Sequence, residues 1–378
     1  MLSRGLLVLL VVPTSALHAY GHAYSRPNDF TPAQYAQIAA RFEIFTVEKD
    51  HAASVYGNAT AAKPFTTNSI AASVGTARKI KAINPAVKVL MYWNSALFFD
   101  LYECEADVDK KAWLMPGPPH KPKPLFYNYS VPAMRKWWVK CAIDAVQSSG
   151  GALDGLFFDA TPKLAAAKAT ALWGSMVDEI RAALGADAIL LDNGFFLSSS
   201  GEMLGGDDAW SHTKFGYIES LEKIGHIESL KTVENSLLYL SDVSNASALH
   251  PAPTRRFIGH GDDFSDATFA YSLATYMMVT SSMKEGWFLA NNGSYSIDGG
   301  LLNQPRPPYS KGGLGCGEPS WPYYTIVSST PSSVVVQRLF TTGHVELDLV
   351  KDTSVIHCDG RAPRLGAAHK SLPRRLVL

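Results

Sequence analysis

Leu153-Asp-Gly-Leu-Phe-Phe-Asp159 is the stretch that decides the fold. It is a short apolar, aromatic run opened by Asp-Gly and closed by a carboxylate, which reads as a strand. Phe42-Glu-Ile-Phe-Thr-Val47 and Val87-Lys-Val-Leu-Met-Tyr-Trp93 precede it with the same character. Ala188-Ile-Leu-Leu-Asp192, Phe215-Gly-Tyr-Ile-Glu219 and Gly286-Trp-Phe-Leu-Ala290 follow it. Near-continuous apolar runs such as Ile189-Leu-Leu191 suit strands buried on both faces.

Helical stretches separate these runs. Ser69 to Ile83 has helical spacing and stops at Asn84-Pro85. Val131-Pro132 opens a helix through Trp137, Trp138 and Val146, where the two tryptophans read as packing. Lys163 to Leu184 reads as one long helix ended by Gly185, and Asp266 to Val279 as another. Strands alternating with helices predict an α/β fold with a parallel sheet, either a closed barrel or an open doubly wound sheet. No G-x-G-x-x-G follows the first strand and no P-loop occurs, which removes the common nucleotide-binding open sheets.

The flanks differ from this pattern. Tyr24 to Tyr35 reads as a polar lead-in, and Pro116 to Pro124 as an irregular excursion. Tyr324–Val327, Ser333–Phe340 and His344–Val350 alternate with turn residues, which predicts an antiparallel meander. Arg4, the aliphatic run Gly5 to Val12 and the small residues Thr14-Ser15-Ala16 read as a signal peptide, with Ala19 as a second cleavage position. The expected layout is a signal at 1–19, a barrel at 20–320, a β-extension at 321–358 and a basic tail at 359–378.

Bulk properties narrow the function. Of 378 residues, 34 are Lys or Arg and 34 are Asp or Glu, so nothing asks for nucleic acid or an anionic membrane as partner. Oligomeric state is left open. Cys104, Cys141, Cys316 and Cys358 form no C-x-x-C and allow up to two disulfides in three connectivities. Sequons at Asn58, Asn128, Asn245 and Asn292 fit an exported chain.

In a parallel barrel the active site lies at the C-terminal ends of the strands. The polar residues closing the apolar runs are therefore the candidates: Glu48, Asn94, Asp159, Asp192, Asn193 and Glu219. Carboxylates and amides converging there suit cleavage of a glycosidic bond, which needs two carboxyl groups across the scissile oxygen. Asp159 and Glu219 are the expected catalytic pair. Glu48, Tyr92, Asn94, Asp192, Asn193 and Trp287 are expected to bind substrate. No cofactor is expected. Gly259-His-Gly-Asp-Asp263 is a rival cluster, in which His260, Asp262 and Asp263 could hold a metal for hydrolysis. A non-catalytic glycan-binding barrel is the other alternative.

Phe42-Glu-Ile-Phe-Thr-Val-Glu-Lys49, Asn84-Pro-Ala-Val-Lys-Val-Leu-Met-Tyr-Trp-Asn94, Arg135-Lys-Trp-Trp138 and Asp154-Gly-Leu-Phe-Phe-Asp159 occur in a familiar order. With Leu314-Gly-Cys-Gly-Glu-Pro319 and Phe340-Thr-Thr-Gly-His-Val-Glu-Leu347, they resemble glycoside-hydrolase barrel families linked to the α-galactosidase and endo-polygalactosaminidase groups. The resemblance spans roughly residues 24 to 350. It implies a (β/α)8-type (TIM) barrel with a C-terminal antiparallel β extension and a carbohydrate substrate. It places the Asp of Asp-Gly-x-Phe-x-Asp on Asp159 and a later strand-end Glu on Glu219. The proline-rich excursion and Cys316 depart from the family pattern.

Overall fold

The computed structural model describes residues 18–26, 28–49, 51–56, 68–117, 125–166, 169–197, 203–204, 211–218, 236–237, 240–241, 243–244, 256–261, 266–283, 286–290, 295–297, 302, 316–320 and 324–358. Eight strands dominate it: β1 (His18–Ala23), β2 (Ile44–Val47), β3 (Lys88–Asn94), β7 (Gly155–Asp159), β8 (Ile189–Leu197), β10 (Lys214–Ile218), β11 (Arg256–Gly261) and β12 (Gly286–Ala290). Each pairs in parallel with the next in that order. β12 pairs back onto β1, so the eight strands close into a ring.

Helices α1 (Pro32–Arg41), α2 (Ala53–Tyr56), α3 (Ser69–Ile83), α4 (Pro132–Gln147), α5 (Pro162–Ala166), α6 (Thr170–Leu184) and α7 (Asp266–Val279) lie in the crossovers. α1 starts with a full capping box, in which Thr31 and Gln34 satisfy each other's backbone N–H groups. Lys163 to Leu184 is two helices rather than the single one expected. Ala169 N bonds to Leu164 O at 2.9 Å, and a fresh helix begins at Thr170. The proline-rich excursion is flanked by regular structure. β4 (Leu97–Phe98), β6 (Leu125–Tyr127) and β5 (Leu114–Pro116) form a small antiparallel sheet in that order. A short strand, β9 (Met203–Leu204), pairs with the end of β8.

β1 has no counterpart in the sequence reading. It contains Ala19, so cleavage after Ala16 leaves the strand whole, whereas cleavage after Ala19 removes its first two residues. Residues 1–17 and the tail at 359–378 lie outside the described residues.

Asp154-Gly-Leu-Phe-Phe-Asp159 divides its work between the two ends of β7. At the start, Asp154 accepts from Val89 N at 2.8 Å and pairs with Lys81 and Lys88 at 2.7 and 3.1 Å. Gly155 passes so close to β8 that a Cβ there would sit 1.9 Å from the Ile189 carbonyl oxygen. At the far end the strand presents Asp159.

The C-terminal meander is β13 (Thr325–Thr330), β14 (Ser333–Phe340), β15 (Gly343–Asp348) and β16 (Thr353–Cys358), all antiparallel. β14 alternates half-buried and buried residues, as a strand with one covered face should. Val336, Phe340, Val345 and Leu347 share a core with Tyr271, Ala274, Met277 and Met278 of α7. Arg338 lies buried in that core, and its Nη1 donates to the carbonyls of Met277, Met278 and Thr280 at 2.8, 2.9 and 2.7 Å. A cation thereby caps carbonyls that a helix end leaves unpaired. Arg338→Leu is expected to lower stability by about 2–4 kcal/mol, since it strands buried acceptors; urea unfolding measures this. Two disulfides are in place, Cys104–Cys141 and Cys316–Cys358. The second joins the segment before the meander to its last strand.

Candidate functional site

Register sets which residues face the interior of the ring. Asn94 pairs with Asp159, and Phe158 pairs with Asp192, so Asn193 comes level with Asp159. Strand alternation then separates two sets. Tyr92, Asn94, Phe157, Asp159 and Asn193 lie on one face. Trp93, Phe158 and Asp192 lie on the other, where Trp93 packs on Trp138 and Phe158 on Trp138 and Trp173 of the helix layer.

Asp159 is the hub of the inner face and is half-buried. Tyr92 Oη donates to its Oδ2 at 2.5 Å, Asn94 Nδ2 donates to the same oxygen at 3.3 Å, and Asn193 Nδ2 donates to Oδ1 at 2.9 Å. Asn94 Nδ2 also reaches Tyr92 Oη at 2.8 Å. The Asn94 amide has one sensible orientation, because its Oδ1 accepts from the backbone N–H groups of Ala96 and Leu97 at 3.0 and 2.6 Å. Both oxygens of Asp159 are thus held by side chains fixed on the two strands that flank β7. Burial, and then the Asp159 and Glu48 charges, push the Tyr92 phenol well above its usual range. Tyr92 therefore remains a donor at any physiological pH. Directly after Asp159, Ala160 takes a left-handed backbone conformation with φ of 63°, which is uncommon without glycine.

Glu48 follows β2 and is 3% exposed. It contacts His22 Nε2 at 2.5 Å through Oε2 and pairs with Lys49 through Oε1. Burial raises the Glu48 carboxyl, but the Lys49 charge and the His22 contact outweigh it, so the group lies below its ordinary value. The Lys49 ammonium stands 4.2 Å from the centre of the Tyr92 ring, which ties the Glu48 pair to the Asp159 group. Beneath them Tyr20, His22, Phe157, Tyr217 and Tyr295 form an aromatic floor, with the His22 ring 4.7 Å from Phe157 and 4.3 Å from Tyr295.

Five of the expected residues therefore meet: Asp159, Tyr92, Asn94, Asn193 and Glu48. Asp192 does not join them. It is fully buried on the helix side of β8, where it accepts from the Thr161 hydroxyl. Glu219 lies outside the described residues, one position beyond the last residue of β10. Trp287 and His260 have their backbones placed in β12 and β11, their side chains are not described, and Asp262 and Asp263 also lie outside. Among the described residues no group of three or more metal-ligating side chains occurs. His22, Lys49 and Tyr295 went unread in the sequence. The signal for His22 is its place one residue before the end of β1, a strand whose first two residues fall in the segment expected as a signal peptide.

A second cluster holds the loops after β1 and β2. Asp29 Oδ1 accepts from Tyr35 Oη at 2.5 Å and contacts His51 Nε2 at 3.1 Å, while Oδ2 pairs with Lys79. Ser25 N donates to His51 Nδ1 at 3.0 Å. Burial lowers the His51 imidazole, and the Asp29 contact only partly offsets it. Burial raises Asp29, but its contacts with His51, Lys79 and Tyr35 outweigh this and hold it below the usual range. Both shifts carry the same sign. Groups with depressed folded values take up protons more readily when unfolded, so stability falls as pH drops. For His51 the loss begins below about 6.5, and for Asp29 below about 3.9. The urea midpoint is expected to fall between pH 7 and 5, and to fall less in His51→Asn.

No curated protein matches the chain. Solved structures similar to it include an α-amylase from Anoxybacillus (10% identity, TM-score 0.49, 92% of this chain and 98% of that one). Others are the glycoside hydrolase domain of PelA from Pseudomonas aeruginosa (11%, 0.46, 74% and 96%) and Ega3 from Aspergillus fumigatus in complex with galactosamine (12%, 0.43, 78% and 98%). The description "hypothetical glycosyl hydrolase family 15" matches residues 81–343, from the end of α3 to the start of β15. That segment carries Tyr92, Asn94, Asp159, Asn193, Glu219 and Trp287, and it leaves His22 and Glu48 outside. Over more than half its length, then, this chain is a member of the hypothetical glycosyl hydrolase family 15.

Proposed function

We propose that the protein is a glycosidase with a (β/α)8-type barrel that cleaves O-glycosidic bonds of an oligo- or polysaccharide, with Asp159 and Glu219 as its carboxylate pair. The observation that carries this reading is Asp159 itself. Three donors, two on β3 and one on β8, fix one half-buried carboxylate at the C-terminal end of a parallel ring, where barrel enzymes do their chemistry. Family membership supports the reaction class. Glu219 is the second member because it follows Tyr217 by two positions, and the Tyr217 ring faces the interior.

In this reading one carboxyl protonates the leaving oxygen while the other attacks the anomeric carbon or activates water. Tyr92, Asn94 and Asn193 orient Asp159, and Glu48 and Trp287 contact the sugar. The two disulfides fit an oxidising compartment, as would a signal peptide at residues 1–19. The test is release of reducing ends or p-nitrophenol from neutral oligosaccharides of two to six units and from p-nitrophenyl α- and β-hexosides. Turnover of at least one substrate is expected. Binding of the oligosaccharides without turnover would instead favour a glycan-binding barrel.

A further inference from the structure

Among the described residues, Phe99 is an exposed large aromatic that stands beside Lys49 at the site. It is 37% exposed, although it stands in a segment with little freedom to move. It directly follows β4, which β6 holds on one side. The next residue, Asp100, has φ of 59° and pairs with Lys110 at 3.0 Å. Beyond it, the buried Glu105 accepts from Leu101 N, Tyr102 N and Tyr127 Oη at 2.6, 3.0 and 2.8 Å. The Cys104–Cys141 disulfide ties the same turn to α4. A left-handed non-glycine residue beside an exposed ring is a strained conformation that the surrounding contacts must hold.

Lys49 connects this ring to the carboxylate group. Its ammonium lies 5.6 Å from the centre of Phe99 and 4.2 Å from that of Tyr92, and it pairs with Glu48. The sequence Asp159, Tyr92, Lys49, Phe99 therefore runs from the floor outward, ending on an apolar face at the rim. Lys49 is 27% exposed and Glu48 neutralises its charge, so this end of the cleft has hydrogen-bonding capacity without a net charge from the pair.

We propose that Phe99 and Lys49 form a subsite for a neutral sugar unit adjacent to the one being cleaved, with the C–H face of the sugar on the Phe99 ring and a hydroxyl on Lys49. The proposal rests on the glycosidase reading and adds which residues hold the sugar unit next to the bond that is cleaved. Covering about 50 Å² of apolar face at roughly 25 cal/mol per Å² corresponds to about tenfold in affinity.

The test compares Phe99→Ala with the wild type on a neutral oligosaccharide of four to six units and on a p-nitrophenyl hexoside. KM for the oligosaccharide is expected to rise about tenfold with kcat little changed, while both constants for the aryl glycoside stay as they were. Phe99→Tyr is expected to restore the oligosaccharide KM. Equal losses on both substrates, or no change on the chain, would overturn the subsite. If the wild type turns over nothing, the glycosidase reading fails by itself. Calorimetric titration with the same oligosaccharide then decides the subsite: tenfold weaker binding by Phe99→Ala supports it, and equal binding overturns it.

Discussion

Asp159→Asn is expected to lower kcat by about 10³-fold or more, with KM changed far less. An amide has the shape of the carboxylate, but it can neither accept a proton nor attack an anomeric carbon. The substitution also tests the surroundings. One oxygen of Asp159 takes Tyr92 and Asn94, and the other takes Asn193. The amide nitrogen of the replacement must face one of these donors, so a hydrogen bond is lost and stability falls by about 1 kcal/mol. A fold that survives with activity lost separates chemistry from structure. Steady-state kinetics on whichever substrate the wild type turns over, together with urea unfolding, checks both parts.

Gly155→Ala is expected to have the largest effect on stability, about 3 kcal/mol or more. The added methyl would meet the Ile189 carbonyl oxygen, and backbone cannot yield as a flexible side chain does. β7 and β8 would have to part at the end opposite Asp159 and Asn193, which shifts the pairing that sets those two residues level. The expected result is a lower urea midpoint and, in whatever remains folded, weaker catalysis. An unchanged midpoint would mean that the strands approach each other less closely than described.

Much of this architecture was legible because buried parallel strands leave a plain mark. The runs ending at Val47, Trp93 and Asp159 are apolar on both faces, and the ring strands fall on them. The helices at Ser69–Ile83 and Asp266–Val279 also lie where their spacing put them. What escaped has physical causes. β1 is only six residues, and His18-Ala-Tyr-Gly-His-Ala23 lacks the Val/Ile enrichment of a strand. Its place in the ring comes from partners that sequence cannot display, and His22 was missed with it. β16 alternates exposed and half-buried residues, so no apolar run announced it.

Asp192 and Asn193 show the limit at the site. Both close the same run, but neighbouring residues on a strand point to opposite faces. Only the pairing of Phe158 with Asp192 tells that the amide, not the carboxylate, turns inward. The attachment of Lys49 to Tyr92 was equally hidden, since a charged residue beside Glu48 reads as loop.

The measurement that bears most directly on the account is the separation of the Asp159 and Glu219 carboxyl groups in a crystal structure of the protein with a bound oligosaccharide. A value of about 5–9.5 Å, with the glycosidic oxygen between the two groups, is predicted. A separation beyond roughly 10 Å, with no third carboxylate facing Asp159 across the sugar, would contradict it.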